Sequence, residues 1–131
     1  MGQVVYMLVA TNKAFASFGD VKAASGVLEF GANASWRNGT NVTVCGGATL
    51  RINRSATFGE HAVLRAEGSG WTMSLGNGVH QKFAEFYIDG QRQPNGTYGA
   101  TGNAAAKYSL SNFTGAGVIK VGKLGTTFLI R

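Results

Sequence analysis

Short strand-like segments separated by turn residues constrain the fold of this chain more than any other feature. From Gly26 onward, segments rich in β-branched and aromatic residues end at Gly or Asn, and the turn signals recur about every eight to twelve residues. These segments are residues 27–30, 34–37, 41–45, 48–52, 62–66 and 71–75. Apolar and polar residues alternate within them, so that Leu50 and Ile52 share one face. The spacing predicts an all-β chain, and by itself it fits either a β-sandwich or a β-solenoid.

The N-terminal residues depart from this pattern. The run VVYMLVA at residues 4–10 is apolar without clear alternation, which is typical of a strand buried on both faces. Residues 12–24 place Phe15, Phe18 and Val21 at intervals that predict a short amphipathic helix or a segment capping a solenoid end. We therefore expect one domain, with an N-terminal strand and cap at residues 1–25 and β-rungs at residues 26–131.

Residues 83–121 carry the most specific sequence pattern. Asp89-Gly90 follows an apolar segment and predicts a hairpin turn. Pro94, the only proline, suits a turn or a sheet edge, because it lacks an N–H and has a fixed φ. Residues 118–121 are β-branched and follow a glycine-punctuated segment, so a further strand is expected there.

Three pieces of this stretch carry a resemblance to a known family. The pieces IDG, QPNGTYGATG and FTGAGVIKV resemble the C-terminal end of autotransporter-associated β-strand repeat proteins, which are large bacterial surface or secreted passengers. The similarity covers residues 42–121, and GGATLRI at residues 46–52 is similar to a rung of passenger solenoids. The resemblance implies a right-handed parallel β-helix, or β-solenoid, with a structural or adhesion role at the cell surface or outside the cell. It brings no catalytic motif, and the sequence shows no strict repeat length.

The positive charge of the chain is dispersed. Lys and Arg number 12 against 6 Asp and Glu, a formal charge of +6, and they do not cluster. Nucleic-acid binders concentrate basic residues on one face, so a soluble, mildly cationic surface is the better interpretation and no specific nucleic-acid partner is expected. If stacked strands align Arg51, Arg54 and Arg65 into a ladder, that ladder would favour a glycan or another anionic cell-surface polymer.

The sequence contains no recognisable catalytic or metal-binding pattern. Glu60 and His61 are adjacent and could exchange a proton with a substrate, but an exposed loop is the better interpretation. His61 and His80 lack nearby carboxylates or thiols at ligand spacing. Cys45 has no second cysteine for a disulfide and no evident partner for nucleophilic catalysis. We therefore expect a protein that is not an enzyme and holds neither a metal nor a cofactor.

Three aromatic residues are the candidates for ligand contact. Trp36, Tyr98 and Tyr108 could stack on sugars, and Tyr98 and Tyr108 are expected to be partly exposed because small residues surround them in the sequence. A carbohydrate-binding or carbohydrate-processing β-domain is therefore the alternative function.

Two apolar runs, at residues 4–10 and 126–130, suggest self-association. An unpaired edge strand offers N–H and C=O groups to another copy, and head-to-tail contact would generate a filament. The alternative is that the two runs pair within one chain. The candidate residues are Val4, Val5, Tyr6, Leu8, Phe128, Leu129 and Ile130.

The first of these runs is also too short to be a membrane span, which needs about 20 apolar residues. It lacks the cationic start of a signal peptide, so export is expected to depend on a segment that this sequence does not carry.

Overall fold

The structure is a computed structural model that describes residues 8–10, 21–30, 41–55, 57–59 and 61–122. These residues form strands and turns and contain no helix, so the all-β prediction is confirmed. The strands are β1 (Leu8–Ala10), β2 (Val21–Ala23), β3 (Val27–Phe30), β4 (Asn41–Cys45), β5 (Thr49–Ile52), β6 (Val63–Glu67), β7 (Thr72–Leu75), β8 (His80–Phe83), β9 (Glu85–Ile88), β10 (Gln91–Arg92), β11 (Gly96–Gly99), β12 (Tyr108–Ser109), β13 (Phe113–Thr114) and β14 (Val118–Val121).

The strands form three sheets. Sheet A has the order β10-β9-β6-β4-β2, sheet B has the order β1-β3-β5-β7-β13, and sheet C has the order β12-β11-β14-β8. All neighbours pair in parallel except β9 with β10 and β11 with β14. From β1 to β9, strands that follow one another in the sequence, such as β4 and β5, lie in different sheets, so their apolar faces can share one interior.

The pairing register supplies the repeat that the sequence does not display. Glu29 on β3 lies beside Arg51 on β5, 22 residues later. In sheet A, Val42 lies beside Leu64, and Leu64 lies beside Phe86, at the same separation. The chain therefore leaves each sheet and returns to it one strand further along.

Alternation within each strand builds the core. Strands β3, β5 and β7 each show two half-buried residues alternating with two buried ones. The register stacks the buried residues into columns, one being Leu28, Leu50, Met73 and Phe113 in sheet B. The columns of the sheets meet in one cluster, and burying each large apolar side chain contributes about 1.5–3 kcal/mol.

The prediction of a helix over residues 12–24 is wrong where the structure describes it. Residues 21–23 form β2, which pairs in parallel with β4, while residues 12–20 lie outside the described residues. Val21 and Ala23 are buried and Lys22 is half-buried, a period of two that matches the neighbouring strand. Pairing with β4 thus outweighs the weak helical spacing. The strand predicted at residues 4–10 is present over Leu8–Ala10, and residues 4–7 lie outside the described residues.

The hairpin at Asp89-Gly90 is confirmed. Both residues have positive φ, 49° and 80°, and Ile88 pairs with Gln91 across an antiparallel two-residue turn. The expected strand at residues 118–121 is β14. Among the described residues, no helix is long and apolar enough to cross a membrane.

Candidate functional site

The exposure expected for Tyr98 is not found, and this is a correction to the sequence analysis. Tyr98 is only 2% exposed, because β11 places its ring between Phe86 and Tyr108, with centroid distances of 5.1 and 5.0 Å. Its hydroxyl donates a hydrogen bond to the Pro94 carbonyl oxygen at 2.6 Å. Burial, and secondarily the neighbouring Tyr108, raises the pKa of Tyr98. The Tyr98 ring therefore belongs to the packed interior and offers no free face to a sugar.

The other two candidate stacking residues have different outcomes. Tyr108 is half-buried, and the Lys107 ammonium lies 5.4 Å from its ring centroid. Trp36 lies outside the described residues.

The predicted ladder of Arg51, Arg54 and Arg65 does not form. Arg51 lies on the outer face of sheet B, where its Nη1 is 3.4 Å from Glu29 Oε1, whereas Arg65 lies on sheet A. Arg54 follows β5 in a turn. The register joins residues about 22 positions apart, so arginines closer together in the sequence fall on different faces.

The remaining predicted residues either lie apart or fall outside the described residues. Leu8 on β1 pairs with Leu28 of its own chain, while the other candidate self-association residues lie outside the description. Glu60 also lies outside it, and His61 and His80 are exposed. Cys45 is half-exposed beside Glu67. No group of three or more His, Cys, Asp or Glu residues that could hold a metal occurs in the described part of the chain.

A row of polar side chains on sheet A is the strongest candidate site. The register places five residues side by side across the five strands, and we call them the outer row: Lys22, Thr43, Arg65, Tyr87 and Arg92. Side chains alternate along a strand, and those of the row point away from the buried side chains next to them, such as Val42, Leu64 and Phe86. The row therefore faces outward. Residues directly opposite in a sheet share a face, so Arg92 on the hairpin continues the row.

Arg65 is held in place at the centre of the outer row. Its Nε donates a hydrogen bond to Asn41 Oδ1 at 3.0 Å, and its guanidinium carbon lies 4.6 Å from the Tyr87 ring centroid. This cation–π geometry and the hydrogen bond fix the guanidinium plane. The Nη groups of Arg65 have no hydrogen-bond partner among the described residues, so they can bind an anion from solvent.

Glu85 connects the hairpin end of the row. It accepts a hydrogen bond from the Tyr87 hydroxyl at 2.8 Å, and its other oxygen lies 3.9 Å from Arg92 Nη1. The hydrogen bond to Glu85 is the largest cause of a raised pKa for Tyr87, followed by desolvation and the Glu85 charge, and Arg92 and Arg65 oppose the shift. The phenol therefore stays protonated at neutral pH and remains a donor.

A shallow depression extends the row past the hairpin. It has a volume of about 380 Å³ and is lined by Arg92, Gln93, Pro94 and Asn95. Together, the row and the depression offer cations, an aromatic ring and hydrogen-bonding groups along an open path across the sheet.

Sequence reasoning missed this row because four of its five members lie about 22 residues apart in the sequence. Tyr87 could have been assigned outward from its alternation with Phe86, but its position beside Arg65 requires the strand register. Comparisons of the chain with protein-family models, curated proteins and solved structures give no match.

Proposed function

We propose that this chain is a non-enzymatic structural or adhesion module, built as a right-handed parallel β-solenoid, of a bacterial surface or secreted protein. The observation that supports the proposal most is the register of the strands up to β9, in which parallel neighbours in sheets A and B lie about 22 residues apart over a continuous apolar core. The source and the surface location rest on the sequence resemblance described above.

Parallel pairing favours the solenoid over the β-sandwich. Immunoglobulin-type sandwiches pair antiparallel strands through hairpins, whereas here the parallel neighbours of sheets A and B are connected by segments that pass through another sheet. Right-handedness follows from the general preference of parallel crossover connections, which are right-handed in about 98% of cases. Each coil of a solenoid contacts only its neighbours, so such a domain extends in one direction and can hold other parts of a protein away from a surface.

The ends of the sheets support self-association. Among the described residues, β1 and β2 pair on one side only, and each is three residues long. At the opposite ends of sheets A and B, the edge strands β10 and β13 have two residues each, which limits pairing with another copy. We therefore place the association edge at β1 and β2. Contact between two such edges joins like ends into a dimer, whereas a filament needs the predicted strand at residues 126–130 as well.

Sedimentation velocity over a wide range of protein concentrations tests this assembly. We expect the sedimentation coefficient to rise with concentration for the full chain and to stay constant after deletion of residues 4–10. Far-UV circular dichroism checks that the deleted protein keeps its β-sheet signal. A full chain that remains monomeric at every concentration would overturn self-association, and electron microscopy would distinguish dimers from filaments.

A further inference from the structure

The charges of the outer row recur at every second strand. Lys22, Arg65 and Arg92 are the cations, and the residues between them, Thr43 and Tyr87, carry no charge at neutral pH. Neighbouring strands are about 4.8 Å apart, so successive cations are separated by about 10 Å along the sheet. A ligand that matches the row must therefore be extended and must carry its negative charges at alternate positions.

We propose that the outer face of sheet A binds a linear anionic polysaccharide in which a uronic acid alternates with an uncharged sugar. In an extended β-linked polymer, each pyranose advances by roughly the distance between two strands. A polymer lying along the row thus places one sugar over each strand and one carboxylate over each cation. This polysaccharide differs from other anions in that the spacing of its carboxylates matches the spacing of the cations in the row.

Arg65 is prepared to bind such a carboxylate. Its Nε lies 3.0 Å from Asn41 Oδ1 and its guanidinium carbon lies 4.6 Å from the Tyr87 ring centroid, which fixes the guanidinium. Its Nη groups remain available to bind the ligand. A fixed guanidinium binds a carboxylate through two parallel hydrogen bonds with little further loss of side-chain freedom.

Two carboxylates flank the row and narrow the choice of ligand. On one side of the row, Glu85 is aligned across the strands with Val63 and Asn41. On the other side of the row, Glu67 is aligned with Cys45. They repel an anion that spreads beyond the central row, and they can accept hydrogen bonds from sugar hydroxyls. A polymer charged on every sugar, or a nucleic acid charged on every nucleotide, is repelled by these two carboxylates. Its additional charges find no additional cation in the row.

Calorimetric titration with defined polymers tests the proposal. The probes are hyaluronan oligosaccharides, which alternate glucuronate with an uncharged sugar, polygalacturonate, which is charged on every sugar, cello-oligosaccharides, which are neutral, and single-stranded DNA. We expect the alternating polymer to bind most tightly, with an affinity that falls as salt is added. Equal or tighter binding of polygalacturonate or DNA would overturn the match in period, and so would the absence of any binding.

Matched variants locate the site. Arg65→Gln is expected to weaken hyaluronan binding about tenfold or more, because charge-assisted hydrogen bonds are lost. Arg92→Gln, on the exposed hairpin, provides a second variant that leaves the core untouched. Arg51→Gln removes an equal charge from sheet B and should leave the affinity unchanged. A similar loss with Arg51→Gln would show a general charge effect and overturn the site.

The outcome for the ligand is separable from the proposed structural role. If the chain self-associates but does not bind hyaluronan, only the proposal of a polysaccharide ligand is overturned. Shortening of the hyaluronan during incubation, measured as new reducing ends, would instead support binding and overturn the non-enzymatic function.

Discussion

Substitution of Gly115 by alanine tests how closely the C-terminal segment packs on β7. Gly115 follows β13, has a φ of 88°, and its added Cβ would overlap the Leu75 carbonyl oxygen. Gly102 has the same φ of 88°, but an added Cβ there meets no heavy atom within 4 Å. Alanine at the two positions therefore shares one conformational penalty and differs only in the space available.

The expected destabilisation differs between the two variants. The left-handed conformation costs about 1–2 kcal/mol for a residue with a Cβ, and the lower entropy of the unfolded chain offsets about 0.4–1 kcal/mol. Gly102→Ala should therefore lower the free energy of unfolding by about 1 kcal/mol. Gly115→Ala must also displace Leu75 or β13, which adds about 1–3 kcal/mol for overpacking. The Gly117 N–H bond to the Leu75 carbonyl, 3.3 Å long, would be strained as well.

Urea denaturation followed by tryptophan fluorescence and far-UV circular dichroism measures both variants. We expect Gly115→Ala to lose about 2–4 kcal/mol in total, with a lower midpoint and an unchanged m-value. Equal midpoints for the two variants would refute the reasoning, since they would mean that β13 and the turn after it do not lie against β7.

Three other predictions concern buried side chains. Leu64→Ala truncates a fully buried side chain and should lower the free energy of unfolding by about 3–5 kcal/mol, whereas Val63→Ala, on the outward face, should lose about 1 kcal/mol or less by urea denaturation. Gln81→Leu leaves the N–H and carbonyl of Phe58 without their 3.2 Å partners and should lose about 1–3 kcal/mol in the same assay; no loss would contradict the buried amide. The raised pKa of Tyr98 favours the neutral phenol in the folded protein, so its contribution to stability is complete below pH 10.0 and declines as pH rises through the higher folded pKa. Tyr98→Phe should lose about 1 kcal/mol at neutral pH with the Pro94 hydrogen bond, and should flatten the alkaline loss in thermal melts; an unchanged alkaline slope would exclude Tyr98 as its source.

Local alternation allowed several strands and their buried faces to be predicted from the sequence. Leu50 and Ile52 are buried on β5 as expected, and the turn at Asp89-Gly90 follows from a dipeptide that tolerates positive φ. These features depend on residues adjacent in the chain, so a single sequence contains the information.

Strand β8 was missed because its sequence, HQKF, is mostly polar. Gln81 nevertheless lies in the interior, only 1% exposed, where its amide bonds to the backbone of Phe58. An apolar pattern cannot reveal such a residue, since its burial depends on a partner that is 23 residues away.

The outer row could not be predicted for a related reason. Its members have ordinary surface chemistry, and only the pairing of β4, β6 and β9 brings Thr43, Arg65 and Tyr87 together. The stacking residues chosen from local composition included Tyr98, whose neighbours along the chain are small but whose neighbours in space are aromatic.

The stacked parallel arrangement is tested most directly by measuring the strand register. Nuclear Overhauser contacts between backbone protons provide this measurement. We expect contacts linking Thr43 with Arg65, Arg65 with Tyr87, and Leu50 with Met73, each between residues about 22 positions apart. Antiparallel contacts between consecutive strands, such as β4 with β5, in place of these would contradict the stacked arrangement and favour a sandwich.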